Sequence, residues 1–127
     1  MTPDMPRQNP AIRTIAMPSD TNPSGDIFGG WLMGQMDLAA GHIAARVARG
    51  RSATIAVDRI QFLKPVHVGD EVTLFAELES VGRTSMRIKV EAWRRARESD
   101  ETEKVTEALF TFVALDQDGC PRLVPTN

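Results

Sequence analysis

The sequence has 127 residues, a formal net charge of −2, 42% hydrophobic residues and 25% charged residues. This length is enough for one domain with a core of its own, but not for two. The slight negative charge offers no basic footprint for nucleic acid, and the single cysteine rules out an internal disulfide. We therefore expect one domain that does not bind nucleic acid.

The beginning of the chain predicts an arm, a strand and a loop. Residues 1–10 contain three prolines among polar residues, which predicts a flexible N-terminal arm ahead of a single domain at residues 11–127. Residues 11–17 (AIRTIAM) predict a short strand that Pro18 ends. The segment from there to Gly30 is rich in Ser, Thr, Asn, Pro and Gly, and predicts a loop.

A long apolar helix is predicted after this loop. Apolar residues recur at helical spacing from Leu32 to Val47, others fill much of the remaining circumference, and Gly50 is the expected stop. A helix that is apolar nearly all round is usually buried. Asp37 is its one carboxylate, and a buried carboxylate needs a partner. Asp37 is therefore either a structural cap for a nearby loop or part of a site.

The chain beyond the helix predicts four strands. They span residues 53–63, 71–81, 84–95 and 106–115. The first loses its alternating phase at residues 58–59, which suggests a bulge. The second and third alternate and predict a hairpin with one buried face. The fourth follows a charged connection at 96–103, is apolar on both faces and should lie inside the sheet.

The order β–α–β–β–β–β predicts an α+β fold with one long helix wrapped by a mostly antiparallel sheet of about five strands. A single sheet cannot easily bury all of the apolar surface, so we expect an oligomer. No stretch resembles a signal peptide or a membrane span, and we expect a cytoplasmic protein. His42 and His67 do not stand at ligand spacing, so no metal site is predicted.

Glycines precede the helix at Gly25, Gly29 and Gly30. Free N–H groups at a helix N-terminus attract negative charge, and they can stabilise the oxyanion that forms when water attacks an acyl carbonyl. The spacing matches neither of the glycine-rich nucleotide-binding loops. With Asp37 about two turns further along, both parts of hydrolytic acyl transfer would be present. Alternatively, the glycines serve only close packing.

Six short motifs run through the chain. They are MPSDTN at 17–22, GDIFGGW at 25–31, QMD at 35–37, FLKP at 62–65, VGD at 68–70 and VGRTS at 81–85. Together they resemble the YciA-type hotdog acyl-CoA thioesterases over residues 12–125. The resemblance implies the hotdog fold, homodimers with a shared site at the interface, and trimers of dimers.

The resemblance also implies roles for individual residues. Asp37 matches the catalytic carboxylate, as a general base or a nucleophile, and Asn22 matches an asparagine that works across the interface from it. The backbone N–H groups around Gly30 would polarise the thioester carbonyl. The residues expected at the CoA phosphates are Lys64, Arg83, Thr84 and Ser85.

The implied reaction is hydrolysis of fatty acyl-CoA to the free acid and CoA, without a metal or an organic cofactor. Two other functions remain open at this point. A hotdog domain could bind acyl-CoA without cleaving it. A hotdog hydratase or dehydratase would pair a histidine with a carboxylate, but His42 lies on the helix itself and His67 lies in a distant turn.

Overall fold

A computed structural model describes residues 5–126 of the chain. Residues 1–4 of the predicted arm and residue 127, the last of the predicted domain, lie outside the described residues. The elements are β1 (Ile12–Ile15), a short 3-10 helix (Pro18–Asp20), α1 (Gly29–Ala48), β2 (Ser52–Phe62), β3 (Glu71–Val81), β4 (Ser85–Arg95) and β5 (Thr102–Ala114). The order β–α–β–β–β–β predicted from the sequence is confirmed.

The five strands form one sheet in the order β1-β3-β4-β5-β2. Each neighbouring pair is antiparallel. The strand β5 lies inside the sheet, as its two apolar faces predicted. The strand β2 is an edge strand, and β1 covers only residues 71–74 of β3 at the other edge.

One face of the sheet packs against α1 and forms the core. The helix contributes mostly small side chains, which let it lie close to the strands. Its buried residues are Leu32, Met36, Ala39, Ala40, Ala44 and Ala48. The hairpin β3–β4 has the predicted buried face, because the alternating residues Met86, Ile88, Val90 and Ala92 are all fully buried.

The outer face of the sheet is more buried than its alternating pattern predicts. Phe75 and Trp93 point away from the helix, yet they are only 3% and 2% exposed. The backbone N–H of Ala11 donates to the carbonyl of Leu74, and Pro6 lines a small cavity together with Phe75. The segment before β1 therefore lies beside Phe75 on this face.

The strand β5 begins at Thr102, four residues before its predicted start at 106, so the predicted connection at 96–103 is too long. The reason is a cross-strand ion pair. Arg94 and Glu103 are directly opposite each other in the β4–β5 register, and Arg94 Nη2 lies 3.0 Å from Glu103 Oε1. Opposite charges at facing positions stabilise a strand pair, so a charged segment extends the sheet instead of forming a loop.

The predicted bulge in β2 is confirmed. The register with β5 shifts between Asp58 and Gln61, and Arg59 adopts a positive φ of 55°. A second shift, which the sequence did not predict, lies between Thr54 and Ala56. The helix ends at Ala48, close to its predicted stop, with Arg49 in the left-handed conformation.

Candidate active site

The carboxylate of Asp37 lies on the side of α1 that faces the first residues of β2. It is half-buried, and its Oδ1 accepts a hydrogen bond from the Thr54 hydroxyl. The neighbouring Leu38 is 62% exposed. The expectation of a helix buried nearly all round is therefore wrong for the isolated chain, because the sheet covers only one side of α1.

Sequence reasoning missed Thr54. It is the only polar residue in the run ATIAV at 53–57, which is the one signal that could have drawn attention to it. This pattern does not identify the residue that Thr54 contacts. Asp37 and Thr54 are 17 residues apart and meet only when β2 folds back beside the helix. Thr54 also borders the second bulge of β2.

The first N–H groups of α1 have no acceptor among the hydrogen bonds of the described residues. The side chain of the N-cap residue Phe28 forms no capping hydrogen bond. The Leu32 N–H donates a hydrogen bond to the Phe28 carbonyl. The N–H groups of Gly29, Gly30 and Trp31 precede it and have no intrahelical acceptor. A Cβ placed on Gly30 would meet no other atom within 4 Å, so this end is open to a ligand.

The predicted residue Asn22 organises the loop before the helix. Its Oδ1 accepts hydrogen bonds from the N–H groups of Ser24 at 2.9 Å and Asp26 at 3.1 Å. Its backbone N–H also donates to the Asp26 carbonyl at 2.7 Å. The Nδ2 amide group takes no part in these contacts. Within the described residues, no hydrogen bond joins Asn22 to Asp37 of the same chain.

The β3–β4 turn carries three of the residues predicted to meet the CoA phosphates. Arg83 is exposed, and Thr84 and Ser85 are half-buried. The turn is tight, since the Gly82 N–H donates to the Ser85 carbonyl at 2.8 Å. A Cβ on Gly82 would come within 2.8 Å of Ser85 Oγ, so glycine fits the turn because of this close approach.

The predicted site residues fall at two ends of the sheet. Thr54 pairs with Phe112, which pairs with Met86, so Asp37 and the 82–85 turn lie at one end. Lys64, the Asn22 loop and the N-terminus of α1 lie at the other. The strand β2 between them has 11 residues, a length of about 35 Å. A single chain therefore does not bring Lys64 and Arg83 together.

The two histidines have separate surroundings. His42 is exposed on α1, whereas His67 Nδ1 lies 3.0 Å from the guanidinium of Arg94. Among residues 5–126, no three His, Cys, Asp or Glu side chains are grouped so that they could hold a metal ion. No helix in this part of the chain is long and apolar enough to cross a membrane.

Comparisons with known proteins identify the family of the chain. The model of the thioesterase superfamily matches residues 24–100. An uncharacterized acyl-CoA thioester hydrolase of Zymomonas mobilis is 58% identical over 120 residues, which cover 94% of this chain and 80% of that protein. The acyl-CoA thioester hydrolase YciA of Escherichia coli is 45% identical over 99% of this chain and 98% of its own.

Solved structures of thioesterases also superpose on this chain. The hexameric thioesterase of Yersinia pestis superposes with a TM-score of 0.91 at 45% identity, over 97% of this chain and all of that one. Sequence and fold agree over nearly the full length of the chain. The chain therefore belongs to the thioesterase superfamily, among its acyl-CoA thioester hydrolases with the hotdog fold.

Proposed function

We propose that this acyl-CoA thioester hydrolase cleaves fatty acyl-CoA in a site shared by two protomers, with Asp37 as the catalytic carboxylate. The observation that carries the proposal is the contact between Asp37 and Thr54 on the open side of α1. The hydrogen bond that Oδ1 accepts from the Thr54 hydroxyl fixes the carboxylate and leaves Oδ2 to act on the substrate.

The reaction needs a base or nucleophile and a group that stabilises negative charge. As a general base, Asp37 takes a proton from water while the water oxygen attacks the thioester carbon. As a nucleophile, it attacks that carbon itself and forms a mixed anhydride, which water then hydrolyses to the free acid and the regenerated carboxylate. In both cases the C–S bond breaks and CoA leaves as its thiolate. The unused N–H groups at Gly30 and Trp31 suit the oxyanion on the carbonyl oxygen.

The placement of these groups supports a shared site. Within residues 5–126, the outer edge of β2 has no neighbouring strand, and its side chains Ile55 and Phe62 are 60% and 53% exposed. Two β2 edges related by a two-fold axis would run antiparallel. The start of one β2, with Thr54 and Asp37 beside it, would then lie near the end of the partner's β2. The loop of Asn22 and the helix N-terminus of the partner lie at that end.

The same geometry would resolve the separation of the groups proposed for the CoA phosphates. Arg83, Thr84 and Ser85 of one protomer would lie at the same site as Lys64 of the other. Three more exposed arginines lie at the same end of the molecule as Arg83, namely Arg46, Arg49 and Arg51. No ion pair among the described residues involves Arg83 or these three arginines, so their charges are available to phosphate.

We propose further that these dimers assemble as trimers of dimers. The apolar side chains left exposed on α1 and β2 support the association of copies. The similar thioesterase of Yersinia pestis is hexameric. A hexamer built from two-fold dimers would contain six such sites, because each dimer interface presents the same surface twice.

The test measures release of free CoA thiol from a panel of acyl-CoA substrates. We expect Asp37→Asn to lower kcat by about a hundredfold or more, because general-base assistance is worth roughly 10²–10⁴. Thr54→Val, which removes the hydroxyl and keeps the shape, should lower kcat by about tenfold, the equivalent of ~1.4 kcal/mol. Thr54→Ser should restore it, since Thr54 acts by positioning Asp37.

Two controls make the result decisive. CoA binding and thermal unfolding should match the unaltered protein in every variant. A folded Asp37→Asn protein with a nearly unchanged kcat would assign Asp37 a structural role. Binding of acyl-CoA without any thiol release by the unaltered protein would favour the non-catalytic alternative.

A further inference from the structure

Arg122 lies in a short segment, residues 121–124, that folds back beside the end of β5. Pro121 forms an isolated antiparallel bridge with Leu115. The backbone N–H of Arg122 donates a hydrogen bond to the carbonyl of Ala114, the last residue of β5, at 2.9 Å. The start of the segment is therefore fixed to the end of the sheet.

The side chain of Arg122 joins this segment to the helix. Its Nη2 donates to the carbonyl of Ala48, the last residue of α1, at 2.7 Å, and its Nε donates to the carbonyl of Leu115 at 2.8 Å. The guanidinium lies against Gly50, because a Cβ built there would come within 2.9 Å of Nη2. None of the ion pairs of the described residues involves Arg122. A helix C-terminus attracts a cation, so this guanidinium serves backbone carbonyls and not a carboxylate.

The other end of the segment holds the turn that carries Arg83. The Val124 N–H donates to the Arg83 carbonyl at 2.8 Å, and the Val124 side chain is buried. Among the hydrogen bonds of residues 5–126, this is the only one that Arg83 forms. The position of Arg83 therefore depends on the segment 121–124.

We propose that Arg122 is a positioning residue for CoA binding. It ties the segment 121–124 to the end of α1, and the segment in turn holds Arg83 where its guanidinium can meet a phosphate. This inference rests on the proposed function. Arg122 acts through Arg83 and not on the ligand, because its own Nε and Nη2 donate to backbone carbonyls. A guanidinium on a fixed turn loses less conformational entropy on binding than one on a mobile turn.

The experiment measures KM and kcat for an acyl-CoA and for the matching acyl-pantetheine, which lacks the nucleotide. Arg122→Ala should raise KM for acyl-CoA about fivefold, because Arg83 must then be ordered on binding. The value of kcat and the kinetics with acyl-pantetheine should hardly change. In the Arg83→Ala background, Arg122→Ala should have no further effect, since residues that act through one contact are not additive. The same increase in both backgrounds would overturn the proposal.

A second variant cuts the link at its other end. Val124→Pro removes the hydrogen bond to Arg83, because proline has no backbone N–H, and it keeps the side-chain contacts of Arg122. It should raise KM for acyl-CoA by a similar factor. A rise in KM in only one of the two variants would show that Arg122 does not act on Arg83 through this segment, and it would reject the proposal.

The matched control is Arg95→Ala. Arg95 Nη1 also donates to backbone carbonyls, namely those of Ala96, Arg97 and Ser99. This arginine ends β4, whereas the turn of residues 82–85 precedes that strand, so KM for acyl-CoA should stay within about twofold of the unaltered protein. A rise in KM as large as that of Arg122→Ala would assign both effects to a general loss of stability and overturn the proposal.

Amide hydrogen exchange separates this proposal from the proposed function. The Gly82 and Val124 amide protons, whose hydrogen bonds hold the turn, should exchange faster in Arg122→Ala, while those of the central strands should not. If Arg83→Ala leaves KM unchanged, the proposed phosphate contact fails, and faster exchange at the turn would still support Arg122 as the residue that holds it. Unchanged exchange would reject the proposal, whatever the value of KM.

Discussion

Two buried threonines in the sheet differ in how their hydroxyl groups are satisfied. Thr106 is fully buried, and its Oγ1 has no hydrogen-bond partner within the part of the chain that the structure describes. Thr73 is 2% exposed, and its Oγ1 accepts a hydrogen bond from Arg13 Nε at 3.2 Å. An unpaired buried hydroxyl costs free energy that a paired one does not. Thr106 is therefore a site of lost stability.

We expect Thr106→Val to raise the free energy of unfolding by about 1 kcal/mol, because valine has nearly the same shape and no unpaired polar atom. Thr73→Val is the matched control and should give no gain, because it removes the acceptor for Arg13. Thermal unfolding at a fixed protein concentration measures both variants, since assembly makes the midpoint depend on concentration. Equal effects of the two substitutions would contradict this explanation.

At the scale of elements, the turn between β3 and β4 is held rigid by backbone hydrogen bonds. It is held from both sides: the Gly82 N–H bonds to Ser85, and the Arg83 carbonyl accepts a hydrogen bond from the Val124 N–H at 2.8 Å. These contacts use backbone atoms and leave the Arg83 side chain exposed. A rigid turn with a projecting guanidinium suits phosphate, because the turn loses little conformational entropy when it binds.

Arg83→Ala should raise KM for acyl-CoA by about tenfold or more, since a hydrogen bond to a charged group is worth about 1.5–3 kcal/mol. The value of kcat should hardly change, because a phosphate contact binds ground and transition states alike. An acyl-pantetheine substrate, which lacks the nucleotide, should show almost no effect.

The control is Arg87→Ala, which removes another exposed arginine, on β4 beyond the turn. It should leave both substrates unaffected. An equal rise in KM for acyl-CoA and acyl-pantetheine after Arg83→Ala would show that Arg83 does not contact the phosphates.

At the scale of the whole molecule, the proposed shared site predicts that the isolated chain is incomplete as an enzyme. Asp37 and the N–H groups proposed to stabilise the oxyanion are on one helix, but the other proposed site residues divide between opposite ends of the sheet. Several large apolar side chains near these groups are exposed, among them Leu38 at 62% and Phe28 at 46%. Both the division and the exposure are explained if two chains pair through β2 and α1.

This arrangement predicts complementation between two inactive variants. Asn22→Ala and Asp37→Asn are unfolded together in equal amounts and refolded, so that random pairing makes about half of the dimers mixed. A mixed dimer has one site with both residues intact and one site with neither. About a quarter of the unaltered activity should therefore return, as measured by thiol release.

Each variant refolded alone is the control and should stay inactive. If both residues of a site came from one chain, every site in the mixture would keep one defect. A mixture without activity, in which mass measurement confirms mixed dimers, would rule out the shared site.

The sequence by itself determined the elements and pointed to Asp37, the residue proposed as the catalytic carboxylate. Helical spacing of apolar residues marked α1, alternation marked the hairpin, and the phase slip at 58–59 marked a real bulge. These signals are local, because they depend on which face of one element is buried. Asp37 was visible for the same reason, as a lone carboxylate on an apolar helix.

Only the tertiary structure decided which residues meet. The Thr54 hydroxyl reaches Asp37, the ion pair of Arg94 and Glu103 starts β5 early, and Lys64 lies at the opposite end of the sheet from Arg83. Each of these facts depends on the register between strands that are distant in the sequence. Register follows from the packing of whole strands, and no local pattern of residues encodes it.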